Sequence, residues 1–365
     1  MAMASKSSTV VLPVVLGLCA WWMDGKWKWR NVFILAPYVL MTLIASVISI
    51  WTQRLEGTSN AEWALSGLQR LVLVGKVIWF YPGKLLWPHP LMLIYPQWKI
   101  NPSQLASWLP TITAAAVFFF LWWNRRTGLR PFFFAYAYFL AALLPVLGLI
   151  DHTFLAFSFV GDHFQYLASM GPLALIAVGL TQLMDFFGKK ASRCLAGACA
   201  ALLLILGTLS WRHAEVYQDP ETLWADTLQK NPECEIACVD MASILLRKGD
   251  EAGAISYYER TLRFKPESMA AHNNLAWIFA TTQQASLRNP SRALELAKEA
   301  EQLSHGNNAM VLRTLAAAQA GLGQFSDAQA TAQKAIALAN QQGKTNVAQQ
   351  IQGDLARYNT GTPIQ

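Results

Sequence analysis

Charged residues are scarce in this sequence. Only 14% of its 365 residues are Asp, Glu, Lys or Arg, whereas 54% are hydrophobic and 15 are tryptophans. Soluble domains contain about 25% charged residues on average, so the composition excludes a protein that is water-soluble along its whole length. A lipid bilayer is therefore the expected surroundings of a large part of the chain.

Cysteines are few, and none has a metal-binding spacing. The five are Cys19, Cys194, Cys199, Cys234 and Cys238, with no CxxC pair and no Cys/His cluster. Zinc sites need such clusters, so we expect no metal, and no motif for another resident cofactor is visible. Cys234 and Cys238 are four residues apart on a predicted helix. A disulfide between them and two separate thiols both remain open.

Acidic residues are especially few in the first part of the chain. Residues 1–212 contain 16 Lys and Arg against 6 Asp and Glu, a net charge of +10, whereas residues 213–365 contain 13 against 16, a net charge of −3. The basic excess thus belongs to the hydrophobic part, where cations flank membrane helices. No basic run interleaved with aromatic residues occurs after residue 212. We expect membrane lipid as a partner and no nucleic acid.

Six apolar stretches have about the length of a membrane helix or come close to it. They cover residues 8–22, 31–51, 107–123, 131–150, 166–184 and 194–211. The first has the length of a signal-peptide core but no small-residue cleavage site, so we interpret it as a retained helix. The fold class predicted is all-α, with a polytopic helical membrane bundle in residues 1–212.

The positions of Lys and Arg predict the orientation of this bundle. Three short loops are basic, and cytoplasmic loops carry an excess of Lys and Arg. These residues are Lys26, Lys28 and Arg30, then Arg125, Arg126 and Arg130, then Lys189, Lys190 and Arg193. We therefore expect a multi-pass protein of the cytoplasmic (inner) membrane whose last helix ends on the extracytoplasmic side, or in the lumen for a eukaryotic source.

Residues 61–80 do not fit this alternation, because both of their ends must lie on the outer side. Their apolar stripe, Leu65, Leu68, Val72, Gly75 and Trp79, predicts a helix that lies in the membrane interface. A pair of crossings that uses residues 85–95 is the alternative. Four prolines between residues 82 and 96 disfavour it.

A 34-residue period after residue 212 is typical of tetratricopeptide (TPR) repeats, which stack helix pairs into an α-solenoid. We predict a connecting half repeat in residues 213–232, about three TPR units in 233–341, a capping helix in 342–358 and a disordered tail in 359–365. The small, large, small, large, small and proline positions of the first unit are Ala242, Leu245, Ala254, Tyr258, Thr261 and Pro266.

The concave surface of such an array suits an extended protein or peptide partner. Asn273 and Asn274 lie on the first helix of the second unit, where an amide can bind a peptide backbone. Their neighbouring repeats carry Asp240 and Thr314 at the position of Asn274, so there is no asparagine ladder. An ordinary solvated helix face is the alternative interpretation of this pair.

The predicted outward loops contain the ionisable residues that are candidates for chemistry. Lys84, His89 and His163 are candidates to bind the phosphate of a lipid-linked donor. Asp162, and more weakly Asp151, are candidates for an acid or a base. In the alternative interpretation, Lys84 only extends to the membrane surface and Asp162 caps the helix that begins near residue 164.

Several ordered motifs together resemble a known family. They are "SK…LPVVL…WW", "YPGKLLWP…LIYP", "DHFQYLASMGP" and "LWADTLQKNP" followed by the repeats. The chain is similar in these motifs to bacterial-type relatives of the transmembrane-and-TPR protein O-mannosyltransferases, which are GT-C-like membrane glycosyltransferases. The resemblance implies a polyprenyl-phosphate-linked sugar as donor and a protein acceptor on the outer face.

Two departures from the family limit what the resemblance implies. The family's catalytic acidic loop precedes the "SK…LPVVL" helix, and this sequence begins just before that helix. The usual "DRY"-like segment also reads Asp162-His163-Phe164 here, so histidine stands where an arginine is expected to bind phosphate. The resemblance therefore leaves two hypotheses open. One is a glycosyltransferase subunit or fragment, and the other is a non-catalytic, membrane-anchored TPR scaffold.

Overall fold

The fold is helical throughout the part of the chain that the structure, a computed structural model, describes, namely residues 10–55, 65–150 and 153–364. The all-α class is thereby confirmed. The chain divides into two compact units, Met1–Glu215 and Val216–Gln365. The boundary between them follows Glu215, whereas the predicted boundary follows residue 212.

The first unit is built from apolar helices, two of whose connections, residues 87–108 and 144–169, are long and contain 3-10 turns and the short helix Gln165–Ala168. Its helices are α1 (Leu12–Asp24), α2 (Trp29–Leu55), α3 (Gly67–Leu86), α4 (Leu109–Trp123), α5 (Arg130–Leu143) and α6 (Met170–Glu215). Helix α6 changes direction at Gly188, whose backbone has φ 78° and ψ 171°. Glycine tolerates this conformation because it has no Cβ.

Within the residues that the structure describes, four segments are long and apolar enough to cross a membrane. They are Trp29–Ile48, Leu105–Trp123, Met170–Gly188 and Ala191–Glu215. Four of the six predicted spans therefore correspond to helices of sufficient length. The remaining two correspond to the shorter apolar helices Leu12–Asp24 and Arg130–Val146, and residues 8 and 9 of the first lie outside the described part of the chain.

Helix α3 begins later and ends later than the predicted helix over residues 61–80, of which 61–64 lie outside the described residues. Its start is set by a capping box in which Ser66 Oγ accepts from the Gln69 amide at 3.3 Å and Gln69 Oε1 accepts from the Ser66 amide at 2.9 Å. Of the predicted apolar stripe, Val72 and Gly75 are buried within the protein, whereas Leu68 and Trp79 are 57% and 43% exposed. The position of this helix in the membrane interface stays a prediction.

Helix α3 makes one close contact with α4. A Cβ at Gly75 would lie 2.3 Å from the Thr111 amide nitrogen, so only glycine allows this approach. On another face of α3, Leu73, Val77 and Tyr81 belong to a core that also contains residues of α4, α5 and the loops that follow α3 and α5. The α3 C-terminus and these loops are thereby held together.

The second unit consists of consecutive helix pairs. Its helices are α7 (Pro220–Lys230), α8 (Glu235–Arg247), α9 (Glu251–Phe264), α10 (Met269–Thr281), α11 (Pro290–Leu303), α12 (Ala309–Gly321), α13 (Phe325–Gln341) and α14 (Thr345–Asn359). Four of the six predicted positions of the first repeat, Ala242, Ala254, Tyr258 and Thr261, are at most 1% exposed. Leu245 is half-buried and Pro266 is exposed. The TPR assignment itself stays a prediction.

Two further expectations for this unit have structural outcomes. Cys234 and Cys238 are both buried free thiols, so they form no disulfide. The tail that was predicted to be disordered makes contacts with the helices as far as Ile364. The amides of Thr360 and Thr362 each donate to the Arg357 carbonyl at 3.0 Å, and Ile364 packs against the helical core.

Candidate functional site

The C-terminus of α3 and two loops meet around Lys84. Its Nζ donates to the Pro90 carbonyl oxygen at 2.6 Å. The same ammonium lies 5.6 Å from the ring centroid of Phe80 and 5.2 Å from that of Tyr95, within the range of a cation–π interaction. Lys84 is thus half-buried among aromatic rings and does not only extend to the membrane surface.

Asp162 lies on the second loop and binds the first one. Its Oδ1 accepts from the Tyr95 hydroxyl at 2.7 Å, and its Oδ2 accepts from the Met92 amide at 3.2 Å. Residues 162–164 form a 3-10 turn without a side-chain cap, and the following turn from Gln165 has none either. The alternative in which Asp162 caps this helix is therefore wrong. Its carboxylate joins two loops that are about 70 residues apart.

Buried hydroxyl groups fix the position of this second loop. Ser158, with no exposed surface, accepts from the Tyr95 amide at 3.2 Å and donates to the Val160 carbonyl at 2.8 Å. The Tyr81 hydroxyl accepts from the Gly161 amide at 3.3 Å. Burial of these polar groups is tolerated because each has a partner. The segment that directly precedes Asp162 is consequently held in place.

The electrostatics of Lys84 and Asp162 oppose their burial. Burial lowers the pKa of the Lys84 ammonium, and the negative charge of Asp162 counteracts this effect. Burial raises the pKa of the Asp162 carboxyl, and the hydrogen bonds from Tyr95 and Met92 together with the charges of Lys84 and His213 counteract it. Each group therefore stabilises the charged form of the other. Within the described residues they form no direct ion pair, and the Pro90 carbonyl accepts the bond from Lys84 instead.

The two histidine candidates border this cluster. His163 follows Asp162 directly and is exposed, with its ring 4.1 Å from that of Phe164 and edge-on to Phe154 at 5.7 Å. His89 is exposed and precedes the cis peptide bond to Pro90. Of the candidate residues, the structure brings Lys84 and Asp162 together. Asp151 lies outside the described residues.

Tyr95 is the residue of this cluster that the sequence interpretation missed. It belongs to the "LIYP" motif and contacts Lys84, Asp162 and, at 3.1 Å, the Pro90 carbonyl oxygen. An aromatic residue before a proline in an outward loop was the available signal, but it is also typical of an interface anchor.

The groove candidates in the second unit are tied to their neighbours. Asn274 Nδ2 donates to the hydroxyl of the buried Tyr258 at 3.3 Å, and Asn273 Nδ2 donates to Asn274 Oδ1 at 3.1 Å. Both asparagines are half-buried, so they are not part of a fully solvated helix face. The Oδ1 atom of Asn273 is buried without a partner.

No group of three or more His, Cys, Asp or Glu side chains in the described ranges is arranged to hold a metal ion. The site therefore offers one half-buried cation, one half-buried carboxylate and the tyrosine that connects them. Such a set can bind an anion at Lys84, and it can exchange a proton at Asp162.

Comparison with known proteins gives one weak similarity. No protein-family model matches the chain. Over 128 residues it is 26% identical to the protein O-mannosyl-transferase TMTC1 of Homo sapiens, and this stretch is 35% of the chain but only 14% of the human protein. The chain thus corresponds to a small part of that protein's length.

Proposed function

We propose that this chain is a membrane protein related to protein O-mannosyltransferases that use a polyprenyl-phosphate-linked sugar, and that Lys84 binds the donor's phosphate. The observation that carries the proposal is the meeting of the two outward loops at Lys84, because the same loops contain the motifs of the resemblance. The weak similarity to the human O-mannosyl-transferase supports sugar transfer as the kind of reaction.

A phosphate is a favourable ligand for a cation in this position. Burial disfavours the charged form of Lys84, and an incoming anion adds the negative charge that compensates for it. The Pro90 carbonyl, a neutral acceptor at 2.6 Å, would be replaced by a charged one, which makes a stronger hydrogen bond. His163 and His89, at the border of the cluster, are secondary contacts in this proposal.

The carboxylate of Asp162 is the proposed base for the acceptor hydroxyl. It accepts one hydrogen bond on each oxygen, which leaves further lone pairs for a proton. Burial raises its pKa, and a base is most effective when its pKa approaches the working pH. Asp151 remains a second, weaker candidate from the sequence.

The second unit completes the proposal. Its helix pairs are proposed to be TPR units on the extracytoplasmic side of the cytoplasmic membrane, where they bind the acceptor protein or a partner. Asn273 and Asn274 are the proposed contacts to a peptide backbone. The orientation rests on the three basic loops, and fusion of reporters after Arg126 and after Lys190 tests it.

Binding of a polyprenyl-phosphate sugar to the full chain in nanodiscs tests the site. We expect Lys84→Gln to weaken binding by roughly 10- to 100-fold, because a charge-assisted hydrogen bond is lost, and His163→Gln to weaken it less. Lys99→Gln is the matched control, since Lys99 is an exposed lysine of the loop that follows α3. Equal affinity of the Lys84 and Lys99 variants would show that the phosphate is bound elsewhere.

A non-catalytic scaffold is the second candidate function. Both oxygens of Asp162 and the ammonium of Lys84 already have partners in the protein, and this favours a structural role for the cluster. Under this hypothesis, the full chain supplied with donor and acceptor transfers no sugar, whereas the second unit still binds a defined protein.

A further inference from the structure

A second site of different chemistry lies between α1, α5 and α6. It is a cleft of about 400 Å³, and its walls include Trp22, Pro131, Phe134, Tyr138, Ala174 and Val178. This volume is in the range of small-molecule sites, which is about 300–1,000 Å³. None of the cleft residues belongs to the Lys84 cluster, so the cleft is independent of the proposed donor site.

The cleft exists because two helices approach each other at one end. A Cβ at Gly171 would lie 2.8 Å from the Ala135 carbonyl oxygen, so α6 touches α5 closely there. From Met170 to Val178 the cleft follows α6 for about 12 Å, at 1.5 Å per residue. One leaflet of a bilayer contributes about 15 Å of hydrocarbon thickness. The cleft therefore has the polarity and the length to hold part of one acyl chain.

A cation stands at the opposite end of the cleft. Arg130 precedes Pro131, and its guanidinium lies 4.9 Å from the ring centroid of Trp22 and 5.2 Å from that of Trp21. Its Nη2 donates to the Trp21 and Trp22 carbonyl oxygens. The buried Nε has no hydrogen-bond partner.

No carboxylate of the described residues pairs with Arg130. Asp24, the acidic residue of helix α1, is bound instead to Lys28 at 2.6 Å and to Asn31 at 2.9 Å. An arginine that lacks an anion, beside an apolar cleft and at the end of membrane helices, matches the chemistry of a phospholipid. Basic pockets between membrane helices recognise anionic headgroups in this way.

We propose that this cleft binds an anionic phospholipid, with its phosphate at Arg130 and one acyl chain between α1, α5 and α6. The predicted orientation assigns this lipid to the cytoplasmic leaflet. The phospholipid is favoured over the polyprenyl donor because Arg130 follows the basic loop with Arg125 and Arg126. Neither Arg130 nor any cleft residue belongs to the Lys84 cluster.

Native mass spectrometry of the full chain, released from nanodiscs of phosphatidylglycerol or phosphatidylcholine, tests this proposal. We expect the wild type to retain one phosphatidylglycerol more tightly than phosphatidylcholine. Arg130→Gln should reduce this preference by about tenfold, since one charge-assisted contact is lost. Arg126→Gln, the same charge change at an exposed residue of the same loop, should leave it unchanged.

A second pair of variants tests the cleft itself. Ala174→Phe fills the cleft, and Ala177→Phe is the control, because Ala177 is an exposed residue of α6 outside the cleft. We expect only the former to lose the retained lipid. Arg130→Lys keeps the charge and should keep the preference. The proposal is overturned if the two Arg→Gln variants behave alike, if the two Ala→Phe variants behave alike, or if a polyprenyl phosphate displaces phosphatidylglycerol at equal concentration.

Discussion

The two units of the chain differ in where their apolar side chains lie. In Val216–Gln365 the residues with no exposed surface are mostly alanines, for example Ala242, Ala276 and Ala297. In Met1–Glu215 the helices expose large apolar residues, such as Phe33 at 76% and Leu203 at 69%. The difference follows from the solvent. Water drives apolar groups into a core, whereas a bilayer allows them to face outward.

Polar groups differ between the units in the same sense. The second unit uses charged pairs, including the half-buried Arg313 and Asp354 at 2.5 Å, with the Arg313 guanidinium 4.5 Å from the Trp277 ring centroid. The core of the first unit is held mainly by neutral hydroxyl and carbonyl groups, as in the bonds of Tyr81 and Ser158. Lys84 and Asp162 add two charges beside this core. A charge kept beside such a core at a cost is a reason to look for function there.

The largest effect that separates the units is expected from truncation of one tyrosine in each. Tyr258→Ala removes a ring that is 1% exposed and should lower the free energy of unfolding of the second unit by about 3–5 kcal/mol. Tyr166→Ala, at a residue of the first unit that is 70% exposed, should change stability by about 0.5 kcal/mol or less. Hydrogen exchange of the full chain in nanodiscs measures both.

Equal losses of amide protection in the two variants would contradict the comparison. Tyr166 would then be packed against a neighbour in the membrane, and the exposed apolar surface of the first unit would be an interface and not a lipid-facing surface.

Local sequence signals predicted much of this fold. The 34-residue period identified Ala254, Tyr258 and Thr261 as buried positions, because each repeat places the same residue type in the same contact. Apolar length located four segments that can cross a membrane. The predicted bounds of helix α3 differ from the observed ones, because its start depends on the capping box of Ser66 and Gln69. The close approach of Thr111 to Gly75 was not predictable either, since it joins two helices.

The candidate site was predictable only in part, because its bonds join distant residues. Lys84 and Asp162 were found as ionisable residues in outward loops. Their common partner Tyr95 was not, since its bond to Asp162 spans 67 positions of the sequence. A contact of this kind depends on how two loops pack, and no local pattern records it.

A smaller effect should distinguish two glycines of α3. Gly75→Ala places a Cβ against the Thr111 backbone, and such overpacking costs typically about 1–3 kcal/mol. Gly67→Ala is the control, since a Cβ at Gly67 meets no atom within 4 Å. We expect faster hydrogen exchange in α3 and α4 for the first variant only. If the two variants behave alike, close α3–α4 packing does not hold the site together.

The smallest effect concerns the charge of Asp162, the half-buried carboxylate of the Lys84 cluster. Burial raises the pKa of its carboxyl above the ordinary value of 3.8 in the folded protein. At a pH between 3.8 and the pKa of the folded state, the folded state therefore binds a proton that the unfolded state does not. Protonation of Asp162 therefore adds stability at low pH, and this contribution is lost as the pH rises through the folded pKa. The infrared band of the protonated carboxyl, assigned by its absence in Asp162→Asn, follows the titration.

Two substitutions separate the causes that keep this pKa from rising further. The hydrogen bond from Tyr95 lowers it more than the charge of Lys84 does, so Tyr95→Phe should raise the midpoint more than Lys84→Gln. The reverse order would mean that the charge of Lys84 dominates at Asp162. An anion bound at Lys84 would then change the protonation of the proposed base directly. With the expected order, binding at Lys84 and proton transfer at Asp162 are coupled mainly through Tyr95, which contacts both.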